Sequence, residues 1–175
     1  MPSAGERRLF LGVAVAVALA DLVAKLAAEL WLASSSGVLV MGNVVQLRLV
    51  FNPGAAFGMS VGTWSRWVFL AVALVAIVAL ARLARQSAPD DTLRQLACGL
   101  VAGGAAGNLI DRIRSTRGVV DFLDVGIGSH RWPTFNVADI GVTTGALLLA
   151  WSLWSEDRRS ALAEVAVTPE TGALP

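Results

Sequence analysis

Aspartate and asparagine are the residues of this sequence with both the chemistry and the spacing to build a site. Asn108 and Asp111 stand three positions apart, Asn136 and Asp139 likewise, and Asp21 and Lys25 four apart, so each pair shares one face of a helix. Asn52, Arg112, Asp121 and Asp124 add polar groups close by in the expected topology. Two aspartates within a few ångströms in a low-dielectric site cannot both ionise easily and share a proton. One can act as general base on water while the other donates to a substrate carbonyl, which hydrolyses an amide without a covalent intermediate. Asp111, Asp121, Asp124 and Asp139 can form such a pair in any combination, and spacing alone does not choose among them.

Other chemistries are poorly supported. The lone histidine, His130, sits in the polar stretch Gly128-Ser129-His130-Arg131, and the lone cysteine, Cys98, sits among Leu96, Ala97 and Leu100 as core packing. Neither a disulfide framework nor a multi-histidine or thiolate metal site can be built from these. There is no phosphate-cradling loop of the Walker type. The expectation is a site without metal or cofactor.

The elements that position these residues follow from composition. The chain has 175 residues, 55% apolar and 15% charged, with a mean hydropathy of +0.65. A soluble domain carries about 25% charge, so this chain lacks the residues to coat a globule. A formal charge of +1 gives no electrostatic case for nucleic acid. Ionisable residues divide the sequence into four apolar stretches: Leu9 to about Trp31, and those between Arg66 and Arg82, Arg94 and Asp111, and Asp139 and Glu156. The last three are shorter than the roughly 20 residues a bilayer needs, so polar helix ends must lie near the interface. The fold expected is an all-α membrane protein of four transmembrane helices. Its single domain covers residues 1–157, and residues 158–175 form a polar, mobile tail. Val45 to Phe51, rich in Val and Leu with partial alternation, predicts a short sheet after the first helix. Trp31, Trp64, Trp67 and Trp132 fall near one set of helix ends and Trp151 and Trp154 near the other, as interfacial aromatic belts do.

Four alternating spans gather Asp21, Lys25, Asn52, Asn108, Asp111, Arg112, Asn136 and Asp139 on one face of the membrane, with Asp121 and Asp124 in the loop between helices 3 and 4. An aspartate inside hydrocarbon costs roughly 2.5–3.5 kcal/mol, so such a cluster points to function. Asp124 is expected to face water. Glycines four apart, Gly103 with Gly107 and Gly141 with Gly145, predict a close approach of helices 3 and 4. Arg7-Arg8 and the apolar run to Ala20 imitate a cleavable signal peptide, but Asp21 and Lys25 argue that the segment is retained. Basic residues divide equally between the two faces, so the positive-inside rule leaves orientation tied.

Four motifs now stand in one order: Asn52-Pro53-Gly54-Ala55-Ala56-Phe57-Gly58, Gly103 to Arg112 (GGAAGNLIDR), Val119-Val120-Asp121-Phe122 and Phe135-Asn136-Val137-Ala138-Asp139. Together they resemble bacterial lipoprotein signal peptidase, signal peptidase II, over about Asp21 to Gly145. The resemblance implies an aspartyl endopeptidase that removes prolipoprotein signal peptides on the N-terminal side of a diacylglyceryl-modified cysteine. It implies Asp121 and Asp139 as the catalytic pair. Asp21, Lys25, Asn52, Gly54, Asn108, Asp111, Arg112 and Asn136 match the supporting or substrate-binding residues. It also implies a small extracytoplasmic β-cradle after helix 1, membrane lipids as surroundings, and a monomer in the bacterial cytoplasmic membrane with the site outward and the termini inside. Two positions depart from the family's pattern: Leu22 follows Asp21 where Gln is usual, and Pro53 stands where Thr is frequent. A transporter would need polar residues across the whole bilayer, whereas Val68 to Ala81 and Leu96 to Gly107 are apolar. A non-catalytic subunit would tolerate loss of either aspartate.

Overall fold

The computed structural model describes residues 4–54, 59–88 and 90–167. Four helices carry the chain: α1 (Ala4–Leu32), α2 (Ser65–Gln86), α3 (Thr92–Arg114) and α4 (Val137–Val167). Residues 158–167, expected as part of a mobile tail, continue α4 as helix. By length and composition, Arg8–Leu32, Gly62–Gln86 and Val137–Arg158 can each cross a membrane. The fourth helix, α3, is the least apolar and packs against the other three. Its glycines and polar ends are shielded by neighbours instead of lipid, and Ala97, Cys98 and Ala102 are buried.

Small residues set the spacing of the bundle. A Cβ on Gly99, Gly103 or Gly107 would run into Phe10, Ala14 or Asp21, so this seam of α3 faces α1. The approach to α4 uses a different set: Gly104 lies against Ala138, and Gly145 against Ala97 and Val101. The expected contact of helices 3 and 4 therefore forms, but Gly103 and Gly107 serve α1. Glycine at four-residue spacing lets backbones approach closely without stating which neighbour approaches. The turn between α2 and α3 is closed by buried Gln95, which donates to Ala84 O and Ser87 Oγ.

The sheet is larger than the sequence suggested. β1 (Val38–Met41) and β2 (Val45–Asn52) follow α1, while β3 (Val119–Ile127) and β4 (His130–Arg131) occupy the connection from α3 to α4 that was expected to be a loop. All neighbours are antiparallel in the order β1-β2-β3-β4. Asp121 and Asp124 stand three apart, which conceals the alternation that marks a strand. β3 is buried from Val119 to Phe122, and Phe122 packs with Ala28 and Leu32 of α1.

Register between β2 and β3 contains one irregularity with a chemical consequence. Leu47 pairs with Leu123, but Val50 pairs with Asp121, so Arg48 and Leu49 together oppose Phe122. This bulge advances β2 by one residue and reverses which of its side chains share a face with Asp121. Asn52, paired with Val119, consequently lies on the Asp121 face. All six tryptophans are exposed, from Trp154 at 49% to Trp31 at 79%; Trp31, Trp64 and Trp67 lie near helix ends, Trp132 follows β4, and Trp151 and Trp154 lie within α4, near the end of its apolar span Val137–Arg158.

Candidate active site

Asn136 begins α4 and holds two aspartates at once. Asp139 N donates to Asn136 Oδ1 at 3.0 Å, and Asn136 N donates back to Asp139 Oδ2 at 3.2 Å, a reciprocal cap of the helix start. The Asn136 side-chain amide donates to Asp121 Oδ1 at 2.7 Å. The preceding residue is stitched to β3, since Phe135 O accepts from Phe122 N and Leu123 N, and Phe135 N donates to Leu123 O. Strand and helix start are therefore locked together before any side chain contributes. Asn52 Nδ2 reaches the other oxygen, Asp121 Oδ2, at 3.2 Å, and Asn108 Nδ2 reaches Asp139 Oδ1 at 3.0 Å.

Behind these lies a buried ion cluster. Lys25 Nζ contacts Asp21 Oδ2 at 2.6 Å, Asp111 Oδ2 at 2.9 Å and Asn108 Oδ1 at 2.8 Å, using its three donors. Asp21 and Lys25 have no solvent exposure and Asp111 has 1%. Asp21 Oδ1 accepts from Ala138 N in the first turn of α4, where the helix dipole favours an anion. Asp111 Oδ2 accepts from Val120 N, and Asp111 Oδ1 pairs with Arg114. Two buried carboxylates, buried Lys25 and the exposed Arg114 thus tie α1, α3, α4 and β3 at one point, and the four formal charges sum to zero. Removing one member would leave its partners uncompensated.

Asn52-Pro53-Gly54 makes a compact turn, with Gly54 N donating to Asn52 Oδ1 at 3.0 Å. Pro53 needs no N–H there, so its departure from the family pattern leaves this turn intact. Gly118 closes on it: with φ +109° it packs where a Cβ would strike Asn52 and Pro53 backbone atoms. Arg112 Nη2 donates to Gly54 O at 2.8 Å and Nη1 to Asn108 O at 3.1 Å. Ala55 to Gly58 of this motif lie outside the described residues.

Asp121 is buried, at 3% exposure, whereas Asp139 is half-buried. Burial, and next the nearby Asp139 carboxylate, push the Asp121 carboxyl up to about 6, against the opposing pull of Asn52, Asn136 and Lys25. Asp139 also lines a cleft of about 290 Å³ with Trp132, Phe135, Ile140, Thr143 and Thr144. Ile140 and Trp132 are exposed, so the cleft opens on the outer, apolar side of α4. One carboxyl group lines the cleft and the other is buried away from solvent. That is the asymmetry an acid–base pair requires.

A family profile described as "Signal peptidase (SPase) II" matches residues 13–155, a stretch that contains the whole constellation. The chain belongs to the signal peptidase II family. It is 42% identical over 158 residues to the lipoprotein signal peptidase of Rhodococcus jostii (strain RHA1), covering 85% of this chain and 74% of that protein. With the lipoprotein signal peptidase of Nitratidesulfovibrio vulgaris (strain DP4) it shares 43% over 144 residues, 81% and 86% of the two chains. Two solved bacterial membrane enzymes have the same fold. One superposes with a TM-score of 0.70 at 26% identity over 95% of this chain and 94% of its own; the other gives 0.69 at 30%, covering 82% and 91%.

Within this family fold, all ten residues singled out from the sequence converge at one end of the bundle. Asp124 does not face water as expected; it is buried at 5% and paired with Arg131 at 2.9 Å. Arg131 also donates to Asp124 O and to Asn43 O, so Asp124 anchors a β-turn rim and stands apart from the pair. His130 is exposed, and Cys98 is buried in the bundle. Sequence reasoning missed Arg66, which donates to Arg112 O and Ile113 O and caps the end of α3. It also missed Glu29, which pairs with Arg114 and Arg117. Arg66 and Glu29 act over long sequence separations, and no local pattern marks them.

Proposed function

We propose that Asp121 and Asp139 are the catalytic pair of an intramembrane aspartyl peptidase that removes signal peptides from lipoprotein precursors, cutting on the N-terminal side of a diacylglyceryl-modified cysteine. The supporting observation is the unequal environment of two adjacent carboxyl groups, one buried and raised to about 6, the other lining an apolar cleft. The shared proton sits on Asp121, which donates it to the scissile carbonyl. Asp139 takes a proton from water, and the gem-diol that forms returns protons through the same pair as the amide breaks. Asn108 and Asn136 hold the carboxyl groups in place, and Asn52 bonds the second Asp121 oxygen.

The cleft beside Asp139 suits an extended peptide arriving from the bilayer, since its walls are Trp132, Phe135 and Ile140. A monomer supplies every residue of this arrangement. The site faces the outer side of the cytoplasmic membrane, with both termini inside. Ser129, exposed on the β-turn at the same end, tests that orientation. A Ser129→Cys variant reacts with an impermeant thiol reagent added to whole cells if the site faces outward, and only in opened cells if it faces inward.

The substrate reading is tested by incubating the purified chain with a prolipoprotein peptide in lipid-modified and unmodified forms. Cleavage of the modified form alone, at the bond preceding the modified cysteine by mass spectrometry, is the expected result. No cleavage by folded protein, or equal cleavage of both, contradicts it.

A further inference from the structure

A second cavity, about 190 Å³, lies beside the Asn52–Gly54 turn and is lined by Thr63, Ser65, Arg66, Arg112 and Thr116 with backbone from neighbouring glycines and Pro53. None of the described residues lining it is acidic. Arg66 spends two of its five N–H donors, Nε and one on Nη2, on Arg112 O and Ile113 O. Its other donors meet no acceptor among the described residues. Arg112, also at the wall, is 8% exposed. The cavity therefore presents the open donors of Arg66 and the hydroxyl-bearing Thr63 and Thr116, beside the positive charge of Arg112, whose Nη1 and Nη2 already donate to Asn108 O and Gly54 O. Planar guanidinium donors match a phosphate group, which accepts paired hydrogen bonds.

Its surroundings say where such a phosphate would come from. Trp64 and Trp67 flank it and are 69% and 57% exposed, as residues at a membrane interface are. Directly along α2, Val68, Val72 and Val75 are exposed at spacings of four and three, an apolar stripe left open by the packing of α2 against α3. Basic pockets at the ends of membrane helices are suited to anionic lipid headgroups.

We propose that this cavity binds the phosphate of an anionic phospholipid, with the acyl chains lying along the Val68–Val72–Val75 stripe. This cavity shares no lining residue with the cleft beside Asp139, and Arg112 links it to Asn108 and to the Asn52–Gly54 turn.

The test places the full chain in phosphatidylcholine nanodiscs containing a small fraction of phosphatidylglycerol and counts retained lipid by native mass spectrometry. Thr63 is exposed, so Thr63→Glu adds a negative charge to the wall that competes for the open donors of Arg66. It should weaken phosphatidylglycerol retention at least about tenfold. Thr63→Lys should retain it, as should Arg85→Gln at the far end of α2. An unchanged thermal midpoint in each variant shows that the fold is kept. Equal retention by Thr63→Glu and the parent would overturn the proposal. Displacement of the lipid by millimolar inorganic phosphate would overturn its lipid assignment and leave a site for the free anion.

Discussion

Lys25 Nζ donates to Asn108 Oδ1 at 2.8 Å, and this bond sets which way the Asn108 amide faces. With its oxygen held by the ammonium, Asn108 can turn only Nδ2 towards Asp139, which it reaches at 3.0 Å. A lysine on α1 thereby fixes a carboxylate on α4 through an asparagine on α3. The same ammonium contacts both Asp21 and Asp111. Lys25→Met would leave both carboxylates buried without that cation, at a cost of about 3–5 kcal/mol. The thermal midpoint in detergent should fall by about 10 °C. Lys25→Arg should not restore it, because the fully buried site has no room for a planar fork. A Lys25→Met midpoint within a few degrees of the parent would show that the cluster does not bind the helices together.

Asn136 combines a helix cap with a contact to Asp121, and two substitutions separate these roles. Serine is a good cap but too short to reach Asp121. Asn136→Ser should retain near-parental stability while turnover drops by about 10²-fold. Asn136→Ala should lose the same turnover and a further ~1 kcal/mol of stability. Parental turnover in Asn136→Ser would remove the amide from the account of Asp121.

Glycine matters at some helix positions and not at others. At Gly107 a Cβ would meet the Asp21 carboxylate, whereas Gly12 has nothing within 4 Å. Gly107→Ala should destabilise by about 1–3 kcal/mol. Gly12→Ala, exposed in mid-helix, should stabilise by about 0.5–1 kcal/mol. Chemical or thermal denaturation of both variants checks the contrast, which fails if they shift alike.

The raised Asp121 carboxyl makes stability fall as pH rises. Below 3.8 the group is protonated in both folded and unfolded states and costs nothing; between 3.8 and about 6 the unfolded chain ionises it first. Stability present at low pH is thereby lost through that window, in total about 3 kcal/mol. The thermal midpoint of the parent should therefore decline more between pH 4 and 7 than that of Asp121→Asn. Superimposable declines would mean that Asp121 titrates in the folded protein as it does in water. The rate of cleavage should follow a bell-shaped profile, from a proton shared by the pair.

Much of the architecture was legible because lipid imposes strict rules. Four apolar stretches, tryptophans at their ends and the parity of alternating spans were enough to collect Asp21, Lys25, Asn108, Asp111 and Asp139 at one end. The sheet was only half legible. Val45 to Phe51 showed its alternation, but β3 is buried on both sides and carries Asp121 and Asp124 at an interval that matches no strand period. The bulge opposite Phe122, which brings Asn52 to the Asp121 face, exists only in the pairing of two segments some seventy residues apart. Glycine spacing announced a close approach and could not name the partner, so Gly103 and Gly107 were matched to α4 when α1 fills them. Asp124 looked solvated because Arg131, its partner, lies across a strand turn that the sequence did not reveal.

The claim on which the rest depends is that Asp121 and Asp139 together activate water. Its most direct test is single-turnover cleavage of a lipid-modified prolipoprotein peptide by the parent, Asp121→Asn and Asp139→Asn, each verified as folded. The account predicts cleavage by the parent and a loss of at least about 10³-fold in either variant. Cleavage persisting at the parental rate in one or both variants would contradict it.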